Sequence, residues 1–266
     1  MALDRDLASA LPGLRASSSP VDQIAYARDL WPRHHLDVQA GRIAEHAPGV
    51  VAWPSSTEEV AALVRFCADE GVPMVPFGAG SGVCGGVLPD RRTVVVDLKR
   101  MSRWRALDRD APSLEVEAGA LGVRLEEELA GEGFTAGHFP SSILCSTVGG
   151  WIAARGAGQC SGLYGKIEDM VASLECVVGR GEVVRLERRV HGPDAIPLVV
   201  GSEGVFGVVT SARLRLHPAP AARAFGAFSF RSIEAGWTVM QELFQRGLRP
   251  AVARLYDPFD SFMAQM

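Results

Sequence analysis

Pro76-Phe77-Gly78-Ala79-Gly80-Ser81-Gly82-Val83-Cys84-Gly85-Gly86 is the stretch on which the fold turns. It continues an apolar run, Pro73-Met74-Val75-Pro76-Phe77, that reads as a strand. Its small residues leave backbone N–H groups free to converge on an anion, as phosphate-binding nests do. Two familiar glycine motifs do not fit. A P-loop ends in Gly-Lys-Ser/Thr, and no lysine occurs before Lys99. A Rossmann turn opens directly into a helix whose N-terminus meets the pyrophosphate. Here Gly85, Gly86 and Pro89 oppose a helix, and a second strand, Thr93 to Asp97, follows. On its own the stretch is a non-Rossmann phosphate cradle or a long turn.

Upstream, Val50-Val51-Ala52-Trp53 reads as a strand ended by Pro54. Ser56 then caps a helix, and Glu59 completes a capping box. Val60, Leu63, Val64 and Cys67 give that helix one apolar face, and Gly71 ends it as a C′ residue. The result is a β-α-β unit that delivers the chain to the glycine loop. The first 45 residues read as a mixed helical lead-in: Pro20, then an amphipathic run through Tyr26, Leu30 and Trp31.

Downstream, Leu114-Glu115-Val116-Glu117 alternates as a half-buried strand, and Leu121, Leu125 and Leu129 line a helix over 121–132. Val171 to Val178 and Val183 to Leu186 form a hairpin around Gly179-Arg180-Gly181. Val208 to Leu216 is a further strand, ended by His217-Pro218-Ala219-Pro220, the best domain boundary in the chain. Beyond it Phe225 to Phe230 reads as a short strand, and a helix is expected from about residue 232 to 246.

Composition narrows the function. The 266 residues are 47% hydrophobic and 22% charged, enough for a substantial core, and 27 Lys+Arg against 31 Asp+Glu give −4. Near-neutral charge without a basic block removes the footprint of a nucleic-acid binder. No apolar run approaches the ~18 residues of a membrane span, and no signal peptide opens the chain, so a cytoplasmic globular protein is expected. The five cysteines form no C-x-x-C pair and read as reduced structural thiols. His34-His35, beside Pro32 and Arg33 in an expected surface segment, lacks a carboxylate at metal spacing, so no metal is expected. Glycine is in excess, at 29 residues, and it gathers at 78–86, 149–165 and 201–207. Three such clusters suggest a ligand wrapped by loops.

The other two clusters lie among ordered motifs. Gly137-His138-Phe139-Pro140-Ser141-Ser142-Ile143-Leu144 leads to Cys145-Ser146-Thr147-Val148-Gly149-Gly150-Trp151 and then Ala154-Arg155-Gly156-Ala157-Gly158. Tyr164-Gly165-Lys166-Ile167-Glu168-Asp169-Met170 and Gly201-Ser202-Glu203-Gly204-Val205-Phe206-Gly207-Val208-Val209 follow. Together they resemble the FAD-binding domain of the vanillyl-alcohol oxidase/p-cresol methylhydroxylase (PCMH) flavoprotein superfamily. Within it they look most like the alkyldihydroxyacetonephosphate synthase branch and its bacterial relatives. The flavin subunit of glycolate oxidase is a more distant likeness. The resemblance covers about residues 45 to 260.

It implies an α+β, two-subdomain PCMH-type fold. A helical lead-in would occupy 1–44. The FAD-binding domain would span 45–218, with a β-α-β subdomain over 45–100 packed on a larger mixed sheet over 105–218. A cap would begin at 219–266, and only its first part is expected here. Pro76, Phe77, Gly78, Ala79, Gly80, Ser81 and Gly82 would hold the FAD pyrophosphate. Ser141 to Thr147 would run beside the isoalloxazine and ribityl chain, with the Ser146 and Thr147 hydroxyls available to it. Ala154 to Ala157 would add contacts, and Glu203 to Val209 would close over the adenine side. Some members tether the flavin through a histidine in the first loop; Ser81 stands at that place, so the FAD is expected to be non-covalent. Arg254, within Arg249-Pro250-Ala251-Val252-Ala253-Arg254, matches a cap arginine important for activity, and an arginine suits a phosphate or carboxylate. His138 is the second catalytic candidate. The alternatives for these two are a surface ion pair with Asp257 or Asp260 and a structural histidine.

The reading is an FAD-linked oxidoreductase acting on a small hydroxy acid or related anionic substrate. An alkyldihydroxyacetonephosphate synthase-like transferase without net redox, and an inactive flavin-binding fragment, are the alternatives. A homodimer stays open.

Overall fold

The structure, a computed structural model, describes residues 3–263. The lead-in contains α1 (Leu3–Ala10), β1 (Ala16–Ser17), α2 (Pro20–Ala25) and α3 (Pro32–Gln39), followed by a 3-10 turn at Ile43–His46. It is not helical throughout, because β1 pairs antiparallel with β2 (Val50–Ala52) and joins the first sheet. The expected amphipathic run through Tyr26, Leu30 and Trp31 is also interrupted after Ala25. There Asp29 turns its carboxylate onto the Trp31 N–H (2.9 Å), a local bond that competes with helix, and Pro32 restarts the helix as α3.

β2 leads through α4 (Thr57–Asp69) to β3 (Met74–Phe77), and β4 (Val94–Asp97) inserts between the two strands. The sheet order is β1-β2-β4-β3, with the last three strands parallel and Val51, Val95 and Val75 in register. Both faces of β2 and β4 are covered, which is why they read as unbroken apolar runs. Ser56 caps α4 by accepting from the Glu59 N–H (3.2 Å). The Glu59 carboxylate reaches one residue further back than a capping box requires and accepts from the Ser55 N–H (2.7 Å). Gly71 ends the helix in the left-handed region, at φ +64°.

The second sheet comprises β5 (Trp104–Asp108), β6 (Ser113–Glu117), β8 (Val171–Val178), β9 (Glu182–Glu187) and β10 (Val208–Arg215), in the order β5-β6-β10-β8-β9. Every pair in it is antiparallel, so it is not the mixed sheet expected: β5-β6 and β8-β9 are hairpins, and β10 fits between them running opposite to both neighbours. Between β6 and β8 lie α5 (Gly122–Gly131), β7 (Phe134–Thr135), a 3-10 turn at Ile143–Cys145, α6 (Val148–Ala153), α7 (Ser161–Tyr164) and α8 (Ile167–Met170). α9 (Ile196–Val199) precedes β10, and β11 (His217–Pro218) pairs with β7. α10 (Ile233–Gln245) and α11 (Pro258–Met263) complete the described chain. Phe225 to Phe230 is not a strand; it has no partner edge, and Phe225 is 93% exposed. No helix among the described residues is long and apolar enough to cross a membrane.

One core joins the two sheets. It runs from Leu63 and Val94 through Met101 to Leu114, Leu125, Trp151 and Val208. A buried polar knot reinforces the junction: Glu175 accepts from the hydroxyls of Thr57 at the start of α4 (2.9 Å) and Thr210 (2.9 Å), and from Arg105 (3.1 Å). Burial alone would raise its pKa, but these hydroxyls and the guanidinium hold the carboxyl below its ordinary value. Cys67 and Cys176 are buried, as structural thiols should be, whereas Cys84 and Cys145 are exposed.

At the seam Gly119 lies against the Leu98 carbonyl, and a methyl group there would overlap backbone rather than a flexible side chain. Gly119→Ala should therefore destabilise the fold by about 3 kcal/mol, the upper end for overpacking. Urea unfolding measures this; an unchanged midpoint would show that the junction can yield.

Candidate functional site

The glycine loop leaves β3 with Phe77 buried, its ring directly under Gly80. Gly80 has φ +66°, and a Cβ there would sit 2.7 Å from the Phe77 Cζ, so both sterics and dihedral demand glycine. No acceptor among the described residues takes the N–H groups of Gly78 through Cys84. The loop is braced from behind. Lys99 Nζ donates to the Gly78 carbonyl (2.9 Å) and pairs with buried Asp97 (2.6 Å). Tyr26 donates its hydroxyl to Asp97 and accepts from Trp53 Nε1 (2.9 Å). Burial first, then the adjoining carboxylate, raises the Tyr26 pKa, so the phenol stays protonated. From the lead-in, Asp29 accepts the Gly85 N–H (2.7 Å), and the Leu30 N–H donates to the Gly82 carbonyl (2.9 Å). The sequence reading missed Lys99 and Asp29. Lys99 carried a signal, as the first cation after the strand that follows the loop; Asp29 carried none. His34, expected on the surface, is 1% exposed and lies 2.9 Å from Asp29.

The second cluster meets the first directly. Thr147 caps α6, its Oγ1 accepting the Gly150 N–H (3.2 Å), and that hydroxyl lies so close to Gly78 that a side chain there would collide with it. Ser146 is buried and its Oγ accepts from Trp151 Nε1 (2.8 Å). Ser141, Leu144 and Cys145 are exposed, with Ser142 and Ile143 half-buried beside them.

The third cluster closes the seam. The Glu203 N–H donates to the Ala153 carbonyl (3.0 Å), its carboxylate lies against Gly86, and Gly204 packs on Pro76. Among the described residues, Arg155 and Glu203 are the non-glycine residues with positive φ, +51° and +50°. Such strain gathers where surrounding structure over-determines the backbone. The Arg155 guanidinium is turned to the Val200 (2.8 Å) and Pro197 (3.2 Å) carbonyls and to Glu168 (3.3 Å), an internal staple. Ala154 and Ala157 are exposed around half-buried Gly156. Val205 and Phe206 are exposed, Gly207 is half-buried, and Val208 and Val209 are buried in β10.

The structure thus brings Pro76 to Gly86, Ser146 to Gly156 and Glu203 to Gly207 to one seam. Arg254 is not tied to it. It is exposed, and its only hydrogen bond among the described residues is to the Tyr256 hydroxyl (3.4 Å); the expected alternative, a bridge to Asp257 or Asp260, is not formed. His138 is fully buried, edge-on to Trp151 at 4.6 Å, with Nε2 close to Gly156. Neither ring nitrogen has a hydrogen-bond partner in the structure. Burial pushes its pKa down to about 4, so it is neutral at physiological pH.

That neutrality has a pH signature. Between pH 6.5 and 4 the unfolded chain protonates this histidine and the folded one does not, so stability falls as pH falls across that window. The contribution should reach about 3 kcal/mol. Urea midpoints of wild type and His138→Gln should converge towards pH 4, and a difference independent of pH would refute the buried neutral state.

Comparison with known proteins agrees with this geometry. The family model described as FAD binding domain matches residues 48–187. Alkyldihydroxyacetonephosphate synthase of Trypanosoma brucei brucei is 36% identical over 240 residues, which is 88% of this chain and 38% of that protein. The uncharacterized FAD-linked oxidoreductase YgcU of Escherichia coli K12 is 32% identical over 218 residues, 80% of this chain and 45% of YgcU. The chain therefore spans less than half the length of these curated relatives. A solved alkyldihydroxyacetonephosphate synthase structure superposes with a TM-score of 0.86 at 30% identity, covering 94% of this chain and 47% of that one. With two main sheets, three converging glycine loops and a family match over more than half its length, the chain belongs to the FAD binding domain family, a PCMH-type α+β flavoprotein fold whose cofactor is FAD.

Proposed function

We propose that FAD lies along the seam, held non-covalently, and that the chain belongs to an FAD-dependent oxidoreductase acting on a small hydroxy acid or related anionic substrate. The observation that carries the placement is the row of N–H groups from Gly78 to Cys84 that no protein acceptor takes. FAD fits these residues: a diphosphate needs many donors within reach of a backbone lacking side chains, and this loop offers them. Ser81 has no imidazole with which to tether the flavin. When bound, FAD supplies the electron-accepting ring that protein side chains lack.

The chain's own residues would then divide the work. Pro76 to Gly82 bind the diphosphate, Ser141 to Thr147 and Ala154 to Ala157 line the flavin and ribityl side, and Glu203 to Val209 cover the adenine side. Within these ranges the Ser146 and Thr147 hydroxyls each accept one N–H and keep a proton to donate, whereas Arg155 acts through its neighbours. His138, neutral, offers one ring donor and one ring acceptor at Gly156, and can hold a proton in place without adding charge. Arg254, unpaired by any carboxylate among the described residues, suits an anionic substrate group. In domain terms, residues 1–44 are the lead-in, 45–218 the flavin-binding unit and 219–266 the beginning of a cap.

The likeness to alkyldihydroxyacetonephosphate synthases, at 36% identity and a TM-score of 0.86, favours a second reading: a transferase that ends each cycle without net redox.

Two outcomes are expected. Gly80→Val should weaken FAD binding about tenfold or more, since left-handed backbone costs a side chain roughly 1–2 kcal/mol and the Phe77 ring blocks its Cβ. Flavin-fluorescence titration reads this, and wild-type affinity in the variant would remove FAD from the loop. In the holoprotein, anaerobic glycolate or D-lactate should bleach the flavin absorbance. An unbleached flavin, with exchange of free fatty acid into acyl-dihydroxyacetone phosphate, would instead establish the transferase.

A further inference from the structure

The Gly78–Cys84 loop supplies dipoles but no formal charge, and a diphosphate diester carries two negative charges. Neutral donors suffice geometrically, yet charge-assisted bonds are about twice as strong. The nearby cations are engaged elsewhere. Lys99 is neutralised by Asp97 and bound to the Gly78 carbonyl. Arg155 is held by two carbonyls and Glu168.

Arg28 differs from both. It stands in the turn after α2, half-buried, and it lines a cleft of about 310 Å³ together with Tyr26, Phe77, Ala79 and Gly80. Among the described residues it makes no ion pair and no hydrogen bond. Asp29, next to it in sequence, forms no ion pair with it; its carboxylate accepts from the N–H groups of Gly85 and Trp31 instead. The turn is also fixed to the loop at two points, Leu30 to Gly82 and Asp29 to Gly85, so Arg28 is held at the loop. It lies outside residues 48–187, the part the family model matches.

We propose that Arg28 is a cofactor-binding residue that supplies the positive charge for the diphosphate of FAD, making the lead-in part of the binding site. This rests on the placement of FAD in the glycine loops. The ligand chemistry it recognises is a diphosphate diester, and its planar fork can take two oxygens at once.

The test is FAD binding to flavin-depleted full-length chain, followed by fluorescence quenching from 50 to 500 mM NaCl. Arg28→Ala should weaken FAD about 10- to 100-fold, the range for a charge-assisted bond, and flatten the salt dependence. Arg28→Lys should recover part of the affinity and the full salt slope. Urea midpoints guard against a folding defect. Affinity within twofold of wild type, or a loss of affinity with an unchanged salt slope, would overturn the assignment. Gly80→Val separates the two levels: if it abolishes binding while Arg28→Ala does not, the loop holds FAD and Arg28 does not serve it. If neither variant matters, the placement itself is wrong.

Discussion

Backbone approaching backbone with no room for a Cβ is the constraint on which this structure depends. Gly119 against the Leu98 backbone brings the two main sheets together, Gly149 fits α6 against Ala118, and Gly78 lies against the Thr147 hydroxyl. The Gly149 N–H donates to the Ala118 carbonyl at 2.7 Å, and the Gly119 N–H to the Met101 carbonyl at 2.8 Å, so the contact is hydrogen-bonded as well as close. The two sheets cannot slide along this seam without breaking those bonds. Loops that emerge beside it inherit its rigidity, and the three glycine clusters emerge there.

Behind the glycine loop, Asp97, Tyr26, Trp53 and Lys99 satisfy one another, and Asp29 closes the other end of the loop. A polar network completed inside the protein stiffens its surroundings and limits the reorganisation that binding would otherwise require. His138 across the seam, like His34 beside Asp29, is buried with both ring nitrogens unmatched. A buried unmatched donor or acceptor is costly to leave alone, and such groups are places where a protein reserves capacity for something else.

Local chemistry was readable in the sequence wherever neighbours along the chain decide the outcome. Ser56 and Gly71 bound α4 where their residue types require, and Gly179-Arg180-Gly181 turns the β8-β9 hairpin. The glycine clusters announced close approach, and the close approach is there. What the sequence concealed depends on partners far along the chain. β1 is two residues long and exists only because β2 offers an edge. Asp29 carries no local signal, because its partner, the Gly85 N–H, lies 56 residues away. Arg155 sat in a motif that reads as ligand-facing, yet the carbonyls at Pro197 and Val200 claim its guanidinium. Phe225 to Phe230 had strand-like composition but no edge to pair with, and composition alone does not make a strand.

The position of β10 has a consequence for how the chain reaches this state. It is the last strand of its sheet in sequence and the central one in space, pairing Leu214 with Leu114 across 100 residues. A ribosome must therefore release residues up to about 215 before the sheet can close. Until then the β5-β6 and β8-β9 hairpins wait as separate ribbons, each presenting an open edge that any other strand could take. Such long-range closure makes for slow folding, and the waiting interval is when a nascent chain is most exposed to misassembly. Those two edges are therefore the surfaces that most need shielding while the chain is being made.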